Sequence, residues 1–403
     1  MTSPTTEETD RPGVARRHVA HVSTVHGWQD NRIFRRHART LARHGYRVSL
    51  LATGTPPPGP VDGVEVTARP RRGGRLRRLL VQLPLTLVRA LRLRADVYHL
   101  HDPELALLIP VLRARGASVV YDAHEDLPTQ VLAKSYLPRP LAAAAPALAR
   151  ALCAVVDRTA DAVIAATSTV GARFDPRHTT VVHNYPEILD AACAPAPGDP
   201  PGTAPPPAGG VVYVGRISET RGALTMLDAF AAADLPADWS LTLVGPYASS
   251  ALHDRLAQHP AWPRVADHGQ VDPLAARAQI ARARVGLAVL KSTPAYRDAL
   301  PTKLFEYMAA GIPVVASDFP LWRAIVDDAR CGLLVDPDDP RALADALRRL
   351  ADDPEEAAAM GERGRRAVHA HYTWTTEEKQ LLAAYAALPA DTAAAPSRRG
   401  ARA

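Results

Sequence analysis

The chain has 403 residues, 47% of them apolar and 22% charged, with a net charge of +6. A single core rarely grows past ~250–300 residues, so two domains are expected. Its three cysteines, Cys153, Cys193 and Cys331, include no CxxC pair, which excludes a disulfide framework and a cysteine zinc site and points to a reducing, cytoplasmic compartment.

In chain order, Met1 to Asp10 is polar and acidic without an apolar h-region, so residues 1–16 read as a disordered tail and neither a signal nor an anchor. A first domain spans 17–190. Strands are expected at His18–Ser23, Val48–Leu51, Val97–Leu100, Ser118–Tyr121, Ala162–Ala165 and Thr180–Val182. Between the first two, Ile33, Phe34, Ala38, Leu41 and Ala42 recur at helical spacing until Gly45. Residues 191–210 are crowded with proline, glycine and alanine and read as a linker.

A second domain, 211–370, repeats the alternation, with strands at Val211–Val214, Leu241–Val244, Val285–Val289 and Val314–Ala316 and helices at Pro340–Ala351 and Glu355–His369. A last helix falls within 371–388, and 389–403 reads as a disordered tail. Short apolar runs alternating with helical patterns predict an α/β protein of two Rossmann-like parallel sheets. Ligands in such sheets bind beyond the carboxyl ends of the strands. The loops after the strands are therefore the place to look for chemistry.

The basic charge is local. Arg69 to Arg94 holds nine arginines and no acid, and without it the chain would be net acidic. The segment has no aromatic residue to stack on bases, which argues against a nucleic-acid partner. Its leucines, Leu79, Leu80, Leu83, Leu87 and Leu91, make an anionic membrane surface a candidate peripheral contact, with a solvated amphipathic helix as the alternative. Leu79 to Val88 is broken by Gln82 and Pro84 and is too short to span a bilayer.

Three strand ends carry candidate residues. After Val211–Val214 come Gly215, Arg216 and Arg221, two guanidinium forks at a tight turn that suit a diphosphate; surface arginines capping a loop are the plainer alternative. The stretch Asp298 to Glu306 opens a short helix at Pro301, and the free amides near Thr302 and Lys303 would favour an anion. Glu306 lies one turn behind Thr302, placed to accept from ribose hydroxyls. In the first domain, Gly27 sits in the loop Thr24–Asp30, which lacks the G-x-G-x-x-G of a dinucleotide site. His99 to Glu104 and Tyr121 to Asp126 are rich in His and acid but match no defined metal-ligand spacing. Asp102 before Pro103 also suits a helix N-cap.

Asp298 and Glu306, eight residues apart, resemble the E-x7-E signature of the retaining glycosyltransferases of family 4, with Asp in the first place and Arg221-Gly222 where Lys-Gly is usual. The likeness extends to Val181-Val182-His183-Asn184, Gly245-Pro246 and His268-Gly269-Gln270-Val271, and covers nearly the whole of 17–388. It implies the GT-B architecture, two Rossmann-like domains facing across a cleft with the last helix crossing back to the first. It implies transfer of a hexosyl group from a nucleotide-diphosphate sugar to an acceptor hydroxyl with retention, in envelope polysaccharide, glycolipid or secondary-metabolite glycan synthesis. The acceptor would be a glycan, lipid-linked or small molecule, and neither cofactor nor metal is expected. Donor contacts would come from Gly27, Gly215, Arg216, Arg221, Thr302, Lys303 and Glu306. His124 and Asp298 would approach the transferred sugar, with Arg216 and Arg221 on the departing diphosphate; His101, Asp102 and Glu125 would line the acceptor side. A sugar-nucleotide epimerase of the same fold and a non-catalytic sugar-nucleotide binder remain alternatives.

Overall fold

The structure is a computed structural model that describes residues 17–70, 78–132, 139–187, 209–297 and 299–389. The expected tails, most of the proline-rich linker, Cys193 and Asp298 lie outside the described residues.

The first sheet holds β1 (His18–Gly27), β2 (Arg47–Thr53), β3 (Val64–Arg69), β4 (Val97–Leu100), β5 (Ser118–Ala123), β6 (Ala162–Ala165) and β7 (Thr179–Val181), in the spatial order β3-β2-β1-β4-β5-β6-β7. The second holds β8 (Val211–Val214), β9 (Leu241–Val244), β10 (Val265–Asp267), β11 (Val285–Ala288), β12 (Val314–Ser317) and β13 (Gly332–Val335), ordered β10-β9-β8-β11-β12-β13. All the strand pairs in both sheets are parallel. Central strands such as β4, β5, β9 and β11 are buried throughout, because helices cover both faces of a parallel sheet and water reaches neither. In each sheet the strand order reverses once, between β1 and β4 and between β8 and β11. At such a reversal the crossover connections diverge to opposite faces and leave a crevice at the strand ends.

Three edge strands, β3, β10 and β13, go beyond the sequence expectation. Their side chains are half-exposed or alternate, so they lack the continuous apolar run that marks a central strand. The helix Arg139–Thr159 was also not expected from its alanine-rich sequence, which contains Pro146. β1 is longer than predicted: Thr24 to Gly27 continue the strand, with Gly27 paired to Thr53 after a register shift. Pro301 precedes its helix as the extended N-cap residue and is not in the first turn.

The last helix, Trp374–Ala386, packs into the core of the first sheet. Trp374, Leu381 and Tyr385 are buried there with Ile33, Leu41, Leu50 and Val120. Trp374 Nε1 donates to Thr40 Oγ1 at 2.9 Å, and the Tyr385 hydroxyl lies 2.8 Å from His99 Nδ1. No helix among the described residues is long and apolar enough to cross a membrane.

Among the described residues the Tyr385 hydroxyl is the one side-chain partner of the fully buried His99 imidazole, since His99 Nε2 has none. Tyr385→Phe should therefore destabilise the protein by about 1–3 kcal/mol, the cost of leaving a buried polar group unsatisfied. Urea unfolding would show a lower midpoint at unchanged slope; an unmoved midpoint would mean the bond stabilises nothing.

Candidate active site

The two reversal points carry the candidate residues. At the β8 end the chain turns through Gly215, whose φ is +125°. A side chain there would be strained, and its Cβ would come 3.3 Å from Lys303 Nζ. Gly245, at the end of β9, is required for a different reason: a Cβ would lie 2.1 Å from the Gly215 carbonyl oxygen. The paired glycines keep this crevice open. Arg216 is exposed there, and Arg221 sits in the short turn Glu219–Arg221, its guanidinium 5.9 Å from the ring centre of Tyr296.

Lys303 comes to the same place from the helix Thr302–Ala309, in the crossover between β11 and β12. It is only 7% exposed. Its ammonium lies 3.6 Å from the ring centre of Tyr213 and has no hydrogen-bond partner among the described residues. Burial, then the charge of Arg221, hold its proton affinity well below that of an ordinary lysine. An unpaired buried ammonium beside a guanidinium is costly without an anion to share. No side chain caps the helix start at Thr302, so its first amides add to the same positive field. The helix is anchored to the strand end by its Tyr307 hydroxyl, which accepts from Val214 N at 3.0 Å.

Glu306 follows one turn behind. Burial pushes its carboxyl up, while Arg36, Arg277 and Lys303 pull it down. Arg36 belongs to the first domain, where it is buried and donates to Asn184 Oδ1. The charge of one domain is thus felt by the carboxylate of the other.

At the first reversal point, Asp102 follows β4 and is 1% exposed. Its side chain does not cap the helix that follows. Oδ2 accepts instead from Thr24 N and, at 2.8 Å, from Ser23 Oγ, and Oδ1 lies 3.0 Å from His26 Nδ1. These bonds hold Thr24 and Val25 in extended conformation, which is why β1 runs on toward the cleft. His26 itself is 30% exposed, and its ring meets the edge of His124 at 5.1 Å. Burial opposes a charge on His26, but the Asp102 carboxylate outweighs it and pushes the imidazole up to about 9.

His101 is wholly buried. Its Nδ1 lies 2.8 Å from Asp122 Oδ2, and Asp122 is held by Arg32 through Nε at 3.0 Å and Nη2 at 2.7 Å. With Nδ1–H donated to that carboxylate, His101 Nε2 accepts from His21 Nδ1 at 2.9 Å. His124, at the same strand end, is 22% exposed and opens toward the cleft. Glu125 is exposed beside it. Thus of the residues expected on the acceptor side, His101 and Asp102 have no free surface to offer an acceptor. They orient the groups in front of them. Gly27 is exposed at the cleft, but a side chain there would meet only Thr53 O at 4.0 Å, so nothing in the loop itself demands glycine.

His37, His99, His101 and Asp122 each bring a potential ligand atom, all within 4.8 Å of one another. Around one zinc ion at ~2.1 Å no two donors are more than about 4.2 Å apart. The rings also stack, His37 on His99 at 16° and His99 on His101 at 27°, so their in-plane lone pairs run side by side without converging. Burial lowers the proton affinity of His21, His37 and His99. The cluster is a stack of neutral imidazoles between sheet and last helix. The sequence offered His101 as a site residue and His99 within the His- and acid-rich stretch, but neither His37 nor His26 was singled out; the only local sign of His26 was its position next to Gly27.

The His26–Asp102 pair has a pH signature. The folded-state value of His26 lies above the ~6.5 of an unfolded chain, so the native state holds this proton longer and the pair's contribution is full below that value. It is lost as pH rises through about 9. Stability should therefore fall between neutral pH and pH 9, and His26→Asn should flatten that fall. Urea unfolding of both proteins across this range measures it; parallel pH curves would refute the assignment.

Comparisons with known proteins agree with this geometry. Residues 31–184 match the family model described as glycosyl transferase 4-like domain, and residues 208–353 match glycosyl transferases group 1. The D-inositol 3-phosphate glycosyltransferase of Kineococcus radiotolerans is 30% identical over 55% of this chain and 54% of its own length. That of Corynebacterium urealyticum is 36% identical over 26% and 25%. The chain thus spans between a quarter and about half of these curated relatives. Among solved structures, sucrose-phosphate synthase from Thermosynechococcus elongatus superposes with a TM-score of 0.70 at 21% identity, covering 92% of this chain and 98% of that one. Anabaena HepE in complex with UDP and glucose gives 0.69 at 16%, covering 92% and 100%. With both domains matched in order and the two-sheet fold shared along the chain, this protein belongs to the family-4-type glycosyltransferases of GT-B fold.

Proposed function

We propose that the chain transfers a hexosyl group from a nucleotide-diphosphate sugar to an acceptor hydroxyl, with retention of configuration, in the synthesis of an envelope polysaccharide, a glycolipid or a secondary-metabolite glycan. The observation that carries this reading is the Lys303 ammonium, without a hydrogen-bond partner among the described residues and buried beside Arg221 and Gly215 at the reversal point of the second sheet. The donor diphosphate fits there, with Arg216 and Arg221 on its oxygens and the amides of Thr302 and Lys303 at its end. Glu306 accepts from the ribose hydroxyls. HepE, of the same fold, is solved with UDP-glucose, which supports a donor of this class.

The reaction separates negative charge onto the departing diphosphate, and preorganised cations and amides stabilise it there without reorganising. His124 faces the transferred sugar from the opposite domain, with Asp298 as its counterpart from the second. The acceptor hydroxyl attacks from the side the diphosphate leaves, and the leaving phosphate takes its proton. In this reading His26, kept cationic by Asp102, adds positive charge at the cleft. No metal takes part. The acceptor reaches the site from the first domain, and Leu80, Val81, Leu85 and Val88, exposed on the basic segment, support peripheral contact with an anionic membrane at the cytosolic face.

Glu306→Ala should cost ~1.5–3 kcal/mol of UDP binding by loss of charge-assisted hydrogen bonds, a weakening of roughly 10- to 100-fold. Lys303→Met, which fills the same buried volume without charge, should weaken UDP similarly and spare a nucleoside without phosphates. Calorimetric titration reads both; unchanged UDP affinity in either variant would remove that residue from the donor site. Turnover should survive EDTA. Activity abolished by EDTA and restored by manganese would overturn the metal-free reading.

A further inference from the structure

A groove opens beside the cleft at the carboxyl ends of β1, β2 and β3, under the helix Leu83–Leu93. Its walls carry the hydroxyls of Thr53, Thr67 and Thr86 and the guanidinium groups of Arg69 and Arg89. Arg89 is close enough to Arg69 that, after burial, this neighbour is the main cause lowering its proton affinity, with Arg92 behind it. None of the three arginines has an ion pair or side-chain hydrogen bond among the described residues, and the sequence has no acid from Arg69 to Arg94. Elsewhere on the first domain exposed arginines find carboxylates, as Arg39 does with Asp62 and Arg113 with Asp161. The carboxylates at the groove's far end, Asp102 and Glu104, are taken up by Ser23 and Thr24, so the like charges of Arg69 and Arg89 repel until an anion enters.

The groove is continuous with the catalytic face. Ser23 and Thr24 line it, and the same two residues are fixed by Asp102, which also holds His26. Two guanidinium forks offer more donors than the two oxygens of a carboxylate accept at once, whereas a phosphate monoester has three free oxygens and matches the fork geometry. We propose that this groove is the acceptor subsite, and that it selects an acceptor bearing a phosphate ester, gripped by Arg69 and Arg89 while the hydroxyl to be glycosylated extends toward His26 and His124. The assignment rests on the glycosyltransferase reading above. Val81 and Leu85 at the rim would lie against the apolar part of a lipid acceptor, while a soluble ester would use the phosphate grip alone.

The test uses the full chain saturated with UDP, so that the donor's own anion site is filled, and titrates it with glycerol 3-phosphate. Saturable binding is expected, weakened roughly tenfold or more in Arg69→Gln and in Arg89→Gln, with UDP affinity and melting temperature unchanged in both. Sedimentation with phosphatidylcholine vesicles, with and without phosphatidic acid, identifies the source. Capture by the anionic vesicles that glycerol 3-phosphate reverses supports the subsite and assigns the phosphate to a lipid headgroup. Binding of glycerol 3-phosphate without vesicle capture supports the subsite and assigns it to a soluble ester. No binding of either probe, or binding that persists in the double variant Arg69→Gln/Arg89→Gln, overturns the proposal. Failure of UDP to bind would count against the donor site instead; the same titration in an Arg216→Gln/Arg221→Gln background would then still read the groove.

Discussion

The arrangement of the first domain depends on one buried ion pair. Arg32 reaches from the first turn of its helix to Asp122 at the end of β5, gripping both carboxylate oxygens, and sends its remaining nitrogen to Val182 O at 2.8 Å. Both side chains are out of water. Removing one partner of such a pair strands the other and typically costs ~3–5 kcal/mol. The pair also sets chemistry in front of it. Burial alone would raise the Asp122 carboxyl, but Arg32 and His101 hold it well below the usual range. A carboxylate that stays charged fixes which nitrogen of His101 bears hydrogen, and through it the orientation of His21. Asp30 completes the device by capping the same helix at Arg32 N and Ile33 N.

The two halves of the cleft solve opposite electrostatic problems. In the first domain the buried carboxylates Asp102 and Asp122 are fully satisfied, and their work is to aim loops and fix protonation. In the second, Arg221 and Lys303 converge at Gly215 with Glu306 as the carboxylate felt by Lys303 among the described residues, and Arg216 stands exposed beside them. This division follows from residue type at the strand ends: acids after β4 and β5, bases after β8 and in the helix before β12.

Central strands and the places of Gly215, Arg216, Thr302 and Glu306 at the second sheet's strand ends and helix were legible in the sequence because each is written locally. Val211–Val214 is a continuous apolar run followed by Gly215 and Arg216, and the spacing from Thr302 to Glu306 is one helical turn whatever surrounds it. Edge strands were not legible, since β3 alternates with water and β13 begins at Gly332. The partners of the first-domain acids were hidden for another reason. Arg32 and Asp122 are 90 residues apart, and no periodicity connects them. Asp102 could be named as a site residue from its place after a strand, but that it turns inward to His26 and the Thr24 amide is decided by tertiary packing. Asp102 before Pro103 satisfies the local rule for a cap, and the tertiary bonds prevail over it.

The helix Trp374–Ala386 lies on the first domain although the chain reaches it from the second, so the backbone passes between the domains twice. The passages touch: Trp374 N donates to Pro186 O at 2.9 Å, and Tyr185 packs between Phe305 and Tyr372 at 4.8 and 5.4 Å. A backbone bond and an aromatic contact tie the two passages together where they meet, so neither can shift there without carrying the other with it.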